Sequence, residues 1–344
     1  MLPLALMFSS FSLAPTPSVQ ECIVKVDPGG TAFLPMMGPA AEFQEISQWY
    51  NSEPLSIAKL KGKVVLVEFW TYSCINCLRQ IPYLSHWYKT YKENGLVVIG
   101  VHSPEYQFEQ DPINVKDAIE RLAISYPVAV DSSFATWRAY KNRFWPTSYL
   151  IDKNGIIRKK HIGEGGYASM EGAIRELLGE KPLENPQPQS MRFEVLSPEI
   201  HLGFARAENY TTEIKIKPNE IATYDYSGRL EPNIVGLTGS WQIHRECITA
   251  AGKESKIELN FIASRVYVVL SGLSDDPIKV LLDGAPLPKQ YYTKDTDSSG
   301  GINVEADRLY EVVDLHGDIS RHSLTLIVPA GINLYEFSFG AKSG

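Results

Sequence analysis

The residues with the most chemical capacity in this 344-residue sequence are Cys74 and Cys77. Two cysteines three apart can exchange electrons as a dithiol–disulfide pair, ligate a metal, or be inert. A zinc site needs two further ligands of similar spacing. The sequence has four cysteines, the other two, Cys22 and Cys247, being distant singletons, and no second C-x-x-C or H-x-x-x-H. The expectation is therefore redox chemistry without metal or cofactor. Cys74 stands where a helix begins. There the helix dipole and free backbone N–H groups favour a thiolate, so Cys74 is expected to be the exposed nucleophile, with a pKa of roughly 5 to 7.5. Cys77, one turn further in, is expected to resolve the mixed disulfide.

The elements that must hold this pair are legible around it. Val64-Val65-Leu66-Val67-Glu68-Phe69 follows the turn Lys61-Gly62-Lys63 and reads as a buried strand with one acid inside it. From Cys74 the apolar residues keep helical spacing until Asn94-Gly95. Strands at Leu96–Val101 and Pro127–Val130 alternate with helices at Ile113–Ala123 and Ser133–Tyr140. Ser148–Asp152 and Ile156–His161 flank an Asn154-Gly155 hairpin turn, and Met170–Leu178 is a last helix. This alternation predicts an α/β domain over residues 40–180, a mixed sheet flanked by helices.

Residues 181–191 carry three prolines within Pro182–Pro188 and read as a stiff linker. Beyond it the texture is all-β. Runs at Glu213–Lys217, Gly239–Arg245, Lys256–Ile262, Val266–Ser271, Lys279–Leu282, Leu309–Asp314, Ser323–Val328 and Glu336–Gly340 are separated by turn signals. They predict an antiparallel sandwich or jelly roll over 192–344. Upstream, residues 1–39 form a leader and a Pro/Gly-rich extended segment. Its first fourteen residues are an apolar run without Lys or Arg, resembling a signal or a membrane-proximal remnant. With 33 basic and 40 acidic residues the chain carries a net charge of −7, a poor composition for binding nucleic acid.

Several motifs carry a family resemblance. Val64 to Cys77 resembles the strand and active-site loop of the thioredoxin fold. Pro82 matches its helix-kinking proline, and Trp145-Pro146-Thr147 its cis-proline segment. Leu60-Lys61-Gly62-Lys63 and Gly100-Val101-His102-Ser103-Pro104-Glu105 resemble TlpA-type thiol–disulfide oxidoreductases. Ser73-Cys74-Ile75-Asn76-Cys77 followed by a β-rich tail is similar to the soluble C-terminal portion of DipZ-type thiol–disulfide interchange proteins, whose tail is a carbohydrate-binding-module-like sandwich. Ser73 and Ile75-Asn76 depart from the usual Trp and Gly-Pro, and the family's membrane domain is not in this sequence.

The resemblance implies an extracytoplasmic disulfide reductase acting on protein disulfides, in the setting of cytochrome c biogenesis. Its electrons would come from a membrane electron-transfer protein of the DsbD/CcdA type. It implies that Glu68 is a buried acid exchanging a proton with Cys77, against a purely structural acid, and that Pro146 is cis. Trp70, Tyr72 and Trp145 could rim the substrate site or pack in the core; Glu105 could join that rim or lie on a loop surface. Two other readings compete. A thiol peroxidase would need a Pro/Thr context that Ser73-Cys74 lacks. A glycan-binding tail could use Trp241, Tyr291, Tyr292 and Tyr335 as stacking aromatics. The histidines lack ligand spacing, and Cys22 and Cys247 are either free or paired with each other.

Overall fold

The central strand of the first sheet is the run VVLVEFW, buried at every position. Only a strand with neighbours on both edges and layers on both faces has that pattern. The computed structural model describes residues 34–182 and 196–341. In it the first sheet has six strands: β1 (Gln48–Tyr50), β2 (Val64–Trp70), β3 (Leu96–His102), β4 (Val128–Val130), β5 (Thr147–Ile151) and β6 (Ile157–Ile162). Their order is β1-β4-β3-β2-β5-β6, with β2 parallel to β3 and antiparallel to β5. This is the predicted mixed sheet.

Four helices connect these strands: α1 (Ile75–Tyr91), α2 (Pro112–Arg121), α3 (Ala135–Ala139) and α4 (Tyr167–Leu178). Each end has a local cause. Cys74 caps α1, and Gly95 takes φ +102° just after it ends. Asp111 accepts from Ile113 N at 2.9 Å and Pro112 occupies the first turn of α2. Gly179 closes α4 in the left-handed region. The expected helix from Ser133 is shorter because the Asp131 carboxylate accepts from Thr136 N and Trp137 N, at 3.0 and 2.8 Å, and starts the helix there.

The second sheet has eleven strands, antiparallel at every pairing between them. They are β7 (Ile200–His201), β8 (Ile221–Asp225), β9 (Val235–Ile243), β10 (Ile248–Ala250), β11 (Ser255–Ile262) and β12 (Arg265–Ser271). There follow β13 (Lys279–Leu282), β14 (Ala285–Pro286), β15 (Arg308–Asp314), β16 (Arg321–Val328) and β17 (Asn333–Gly340). The only helical segment here among the described residues is a 3-10 turn at Lys289–Tyr291. The expected strand at Glu213–Lys217 does not form. The strand lies at Ile221–Asp225 instead, where side chains alternate between exposed and buried.

The sheet curls because β9 changes partners. Val235–Thr238 pair with β11, while Trp241–Ile243 pair with β10. Between them Gly239 has φ +88°, and a Cβ there would sit 3.2 Å from the Glu254 carbonyl oxygen. The two halves of the sheet thereby close on one core, in which Trp241, Phe261 and Phe337 are buried. The expected linker from residue 183 and the leader to residue 33 lie outside the described residues.

The outer face of the second sheet is apolar where it meets the first. Tyr267 and Val269 of β12, Leu309 of β15 and Tyr335 of β17 cluster with Ile75 of α1 and Tyr106. Leu78, Phe108 and Cys247 pack against this cluster. The seam therefore runs over the first turn of α1, where the two cysteines are.

Candidate active site

Cys74 adopts an extended backbone as the N-cap of α1, and its Sγ accepts from Cys77 N at 3.4 Å. Both thiols are free. Cys77 is 1% exposed and Cys74 7%, so the order of access is as expected but Cys74 is buried rather than exposed. The expected depressed pKa is overturned as well. The hydrogen bond with Cys77 pulls the Cys74 thiol down, but burial and then the Glu105 and Glu199 carboxylates push it up, and the net is upward. A helix N-terminus favours a thiolate only while water and uncompensated N–H groups surround it. Here the second sheet and the loop after β3 cover it. Cys77 is pushed well above the ordinary thiol value, by burial first, then by Cys74, with Glu68 adding to it.

Glu68 stands in the middle of β2, opposite Ser148 of β5, and is 1% exposed. Its carboxylate accepts from Gln80 Nε2 at 2.9 Å and from the Ser148 hydroxyl. No cation offsets its burial, and desolvation pushes its pKa up to about 8 despite those two bonds. It therefore holds a proton through most of the neutral range and lies within the electrostatic reach of Cys77.

Sequence reading missed a second buried carboxylate. Glu109, fully buried, ends a capping box at the 3-10 turn Gln107–Gln110. Its Oε1 accepts from Ser73 N at 3.2 Å and Ser73 Oγ at 2.7 Å, and its Oε2 from Glu105 N at 2.6 Å and Tyr106 N at 3.1 Å. Glu109 thus fixes the residue before the N-cap cysteine to the loop that covers it. Ser73, noted only as a departure from Trp, is the small hydroxyl that makes this bond.

Glu105 does not lie free on a loop surface. It pairs with Arg206 at 2.7 Å and, through burial first and then Glu336, is pushed up to about 8. Glu336, fully buried, is held low despite that burial, by His201 at 3.0 Å and by the Tyr106 hydroxyl, which donates to it at 2.6 Å. The ligand atoms of Glu105, His201 and Glu336 lie within 4.8 Å of one another, a juxtaposition from far-apart segments with no motif to announce it. Arg206 and Tyr106 already engage the two carboxylates.

Trp70 and Tyr72 are core rather than rim, each 1% exposed. They enclose the buried His102, whose pKa burial lowers to about 3. Trp145 is half-buried and its indole donates to Ser103 O at 3.0 Å. The Trp145–Pro146 bond is cis. Trp241 and Tyr335 are buried, the one in the core and the other at the seam, which removes them as a stacking platform for sugars; Tyr291 and Tyr292 are partly buried against the core. Cys247 is a free thiol, and Cys22 lies outside the described residues. Among the described residues no helix is long and apolar enough to cross a membrane.

Comparison with known proteins agrees with this geometry. Residues 39–174 match the family described as Redoxin, and residues 197–340 the one described as Thioredoxin like C-terminal domain. The chain is 40% identical over 268 residues to Protein DipZ of Mycobacterium tuberculosis, covering 75% of this chain and 38% of that protein. It is 32% identical to Thiol-disulfide oxidoreductase ResA of Bacillus cereus, over 37% of this chain and 70% of ResA. Thiol-disulfide oxidoreductase YkuV of Bacillus subtilis is 29% identical over 41% of this chain and 95% of its own length. The chain spans less than two fifths of the DipZ length, whereas it covers most of ResA and YkuV. With two thiols on the first turn of α1, a buried acid in β2 and these relatives, the chain belongs to the thioredoxin-like thiol–disulfide oxidoreductase family.

Proposed function

We propose that the protein is an extracytoplasmic disulfide reductase, with Cys74 as attacker, Cys77 as resolving thiol and Glu68 as proton relay. The observation that carries the reading is the stacked arrangement of a thiol at the N-cap of α1, a second thiol one turn deeper, and a buried carboxylate titrating near 8. Cys74 thiolate attacks one sulfur of a substrate disulfide, forming a mixed disulfide and releasing the other substrate sulfur as a thiolate that takes a proton. Glu68 removes the proton of Cys77 as Cys77 attacks Cys74. The mixed disulfide breaks, the second substrate thiol leaves, and a Cys74–Cys77 disulfide remains. Two electrons have passed to the substrate.

The sulfur environment supports the reducing direction. Strong oxidants of this fold owe their potential to a stabilised thiolate. Here burial and two carboxylates oppose the Cys74 thiolate, which favours a reducing poise. A reductase must be recharged, and a membrane electron donor of the DsbD/CcdA type would supply the two electrons.

Equilibration with glutathione tests the reading. The expected potential of the Cys74–Cys77 couple is near thioredoxin's, about −270 mV, with catalytic reduction of insulin disulfides. A potential near −120 mV would reverse the proposed direction.

A further inference from the structure

The first turn of α1 borders a cleft of about 300 Å³ between the two sheets. Its apolar lining includes Ile75 and Leu78, each the residue after one of the cysteines, together with Tyr267 of β12 and Leu309 of β15. Its charged lining is unbalanced. Five cations, Arg79, Arg121, Arg265, Lys294 and Arg308, share the cleft with two carboxylates, Asp295 and Glu311. Three of the cations are matched. Arg308 pairs with Asp295 at 2.9 Å, Arg265 with Glu311 at 3.6 Å and Asp314 at 2.8 Å, and Arg79 with Glu164 at 3.1 Å.

Arg121 and Lys294 make no ion pair among the described residues. Desolvation, and then the neighbouring Arg308 guanidinium, hold Arg121 below the ordinary guanidinium value. Counted with Glu164 and Asp314, the five cations face four carboxylates, so a chain with a net charge of −7 keeps an excess of positive charge in the cleft that borders the first turn of α1. Clefts with charge of one sign and low-dielectric walls concentrate ligands of the opposite sign.

We propose that this cleft binds an acidic segment of the protein substrate, adjacent to the disulfide that Cys74 attacks. The proposal rests on Cys74 being the attacking thiol. A substrate strand bonded to Cys74 passes the first turn of α1, and extended chain advances roughly 3.5 Å per residue. Because Ile75 and Leu78 share the cleft lining with Arg121 and Lys294, Asp or Glu a few positions from the substrate cysteine would be offered to those two cations. Guanidinium takes a carboxylate through two parallel hydrogen bonds, and lysine adds a point charge. The sulfur chemistry is unchanged; the cleft selects which disulfide is presented.

The test uses two synthetic peptides with the same internal disulfide, one flanked by Glu and the other by Gln, and the reduced full chain in single turnover. The wild type is expected to reduce the Glu peptide about tenfold faster at low salt, with the advantage shrinking as ionic strength rises. In R121E/K294E the ratio of the two rates should fall to one or below. The uncharged bis(2-hydroxyethyl) disulfide reports the thiols themselves in the wild type. Equal wild-type rates for the two peptides, with that small disulfide still reduced, would overturn the cleft and leave the reductase reading intact. A ratio unchanged in R121E/K294E would also overturn it. If the wild type reduces none of the three, both readings fall. Affinity measured on the Cys74→Ser, Cys77→Ser double variant removes the chemistry and should still favour the Glu peptide; no preference there counts against the cleft.

Discussion

The two halves of the molecule treat the same thiols in opposite ways. The six-stranded half makes a site that could stand alone: a strand delivers Glu68, a helix N-terminus delivers Cys74, and one turn separates the cysteines. By itself that geometry favours a thiolate. The eleven-stranded half adds neither Cys74, Cys77 nor Glu68. It adds burial through Tyr267, Leu309 and Tyr335, and negative charge through Glu199. The first half supplies the reacting groups, and the second adds to the burial and negative charge that raise the Cys74 thiol. A cysteine's local position does not decide its pKa when another layer of the fold covers it.

The largest effect expected from breaking this arrangement is at the thiols. Cys74→Ser should abolish reduction and form no mixed disulfide. Cys77→Ser should attack and stall, leaving substrate attached through Cys74. Non-reducing gels after incubation with a disulfide substrate distinguish the two. Trapping by Cys74→Ser alone would reverse the roles and detach the mechanism from the α1 N-terminus.

Next is Glu68, the deepest contribution of the first half. Glu68→Gln should slow the resolving step about 100-fold. The inflection of rate near pH 8 should disappear with it. Stability gives an independent reading. The folded carboxyl holds its proton up to about 8 while the unfolded one releases it near the ordinary 4.5. The folded state therefore binds the extra proton between those values, and stability falls as pH rises through that window. Glu68→Gln should flatten this fall in denaturant titrations. A resolving rate unchanged across pH 6 to 8 would return Glu68 to a structural role.

What could be read from the sequence follows the same division. The cysteine spacing, the acid within an apolar run, the Asn154-Gly155 hairpin and the Gly179 stop are local signals, and the α/β elements formed where they pointed. The sandwich strands were legible where side chains alternate. Glu213–Lys217 misled because it alternates charged residues with isoleucine without a partner strand to pair with. β8 was missed, although Ile221–Asp225 alternates too, because its exposed positions include an isoleucine. The covering of the site was not legible. Tyr106 with Glu336, Arg206 with Glu105, and Ile75 with Tyr335 join residues more than a hundred positions apart, and no periodicity in either segment encodes the meeting. Glu109 belongs to an intermediate class. Its capping box is local, but its bonds to Ser73 depend on how the loop after β3 folds back.

The smallest expected effect is the sharpest measure of the cover. Glu105 lies on the first half, but its charge state is set by burial first and then by Glu336 and Arg206 of the second. Its pKa near 8 means that at pH 7 it is largely protonated and repels the Cys74 thiolate little. Cys74 is pushed above the ordinary 9.0, so it titrates where Glu105 is already ionised. Replacing Glu105 by Gln removes a negative charge in that range, and the Cys74 pKa should fall. Ultraviolet absorbance of the thiolate, followed in a Cys77→Ser background, reads the shift directly. The attack rate should rise less than the thiolate fraction, because a less basic thiolate is also a weaker nucleophile. Arg206→Ala should act with the opposite sign on Glu105, raising its pKa further by removing the 2.7 Å partner. If Glu105→Gln leaves the Cys74 titration where it was, Glu105 does not raise that thiol, and burial with Glu199 accounts for the upward push.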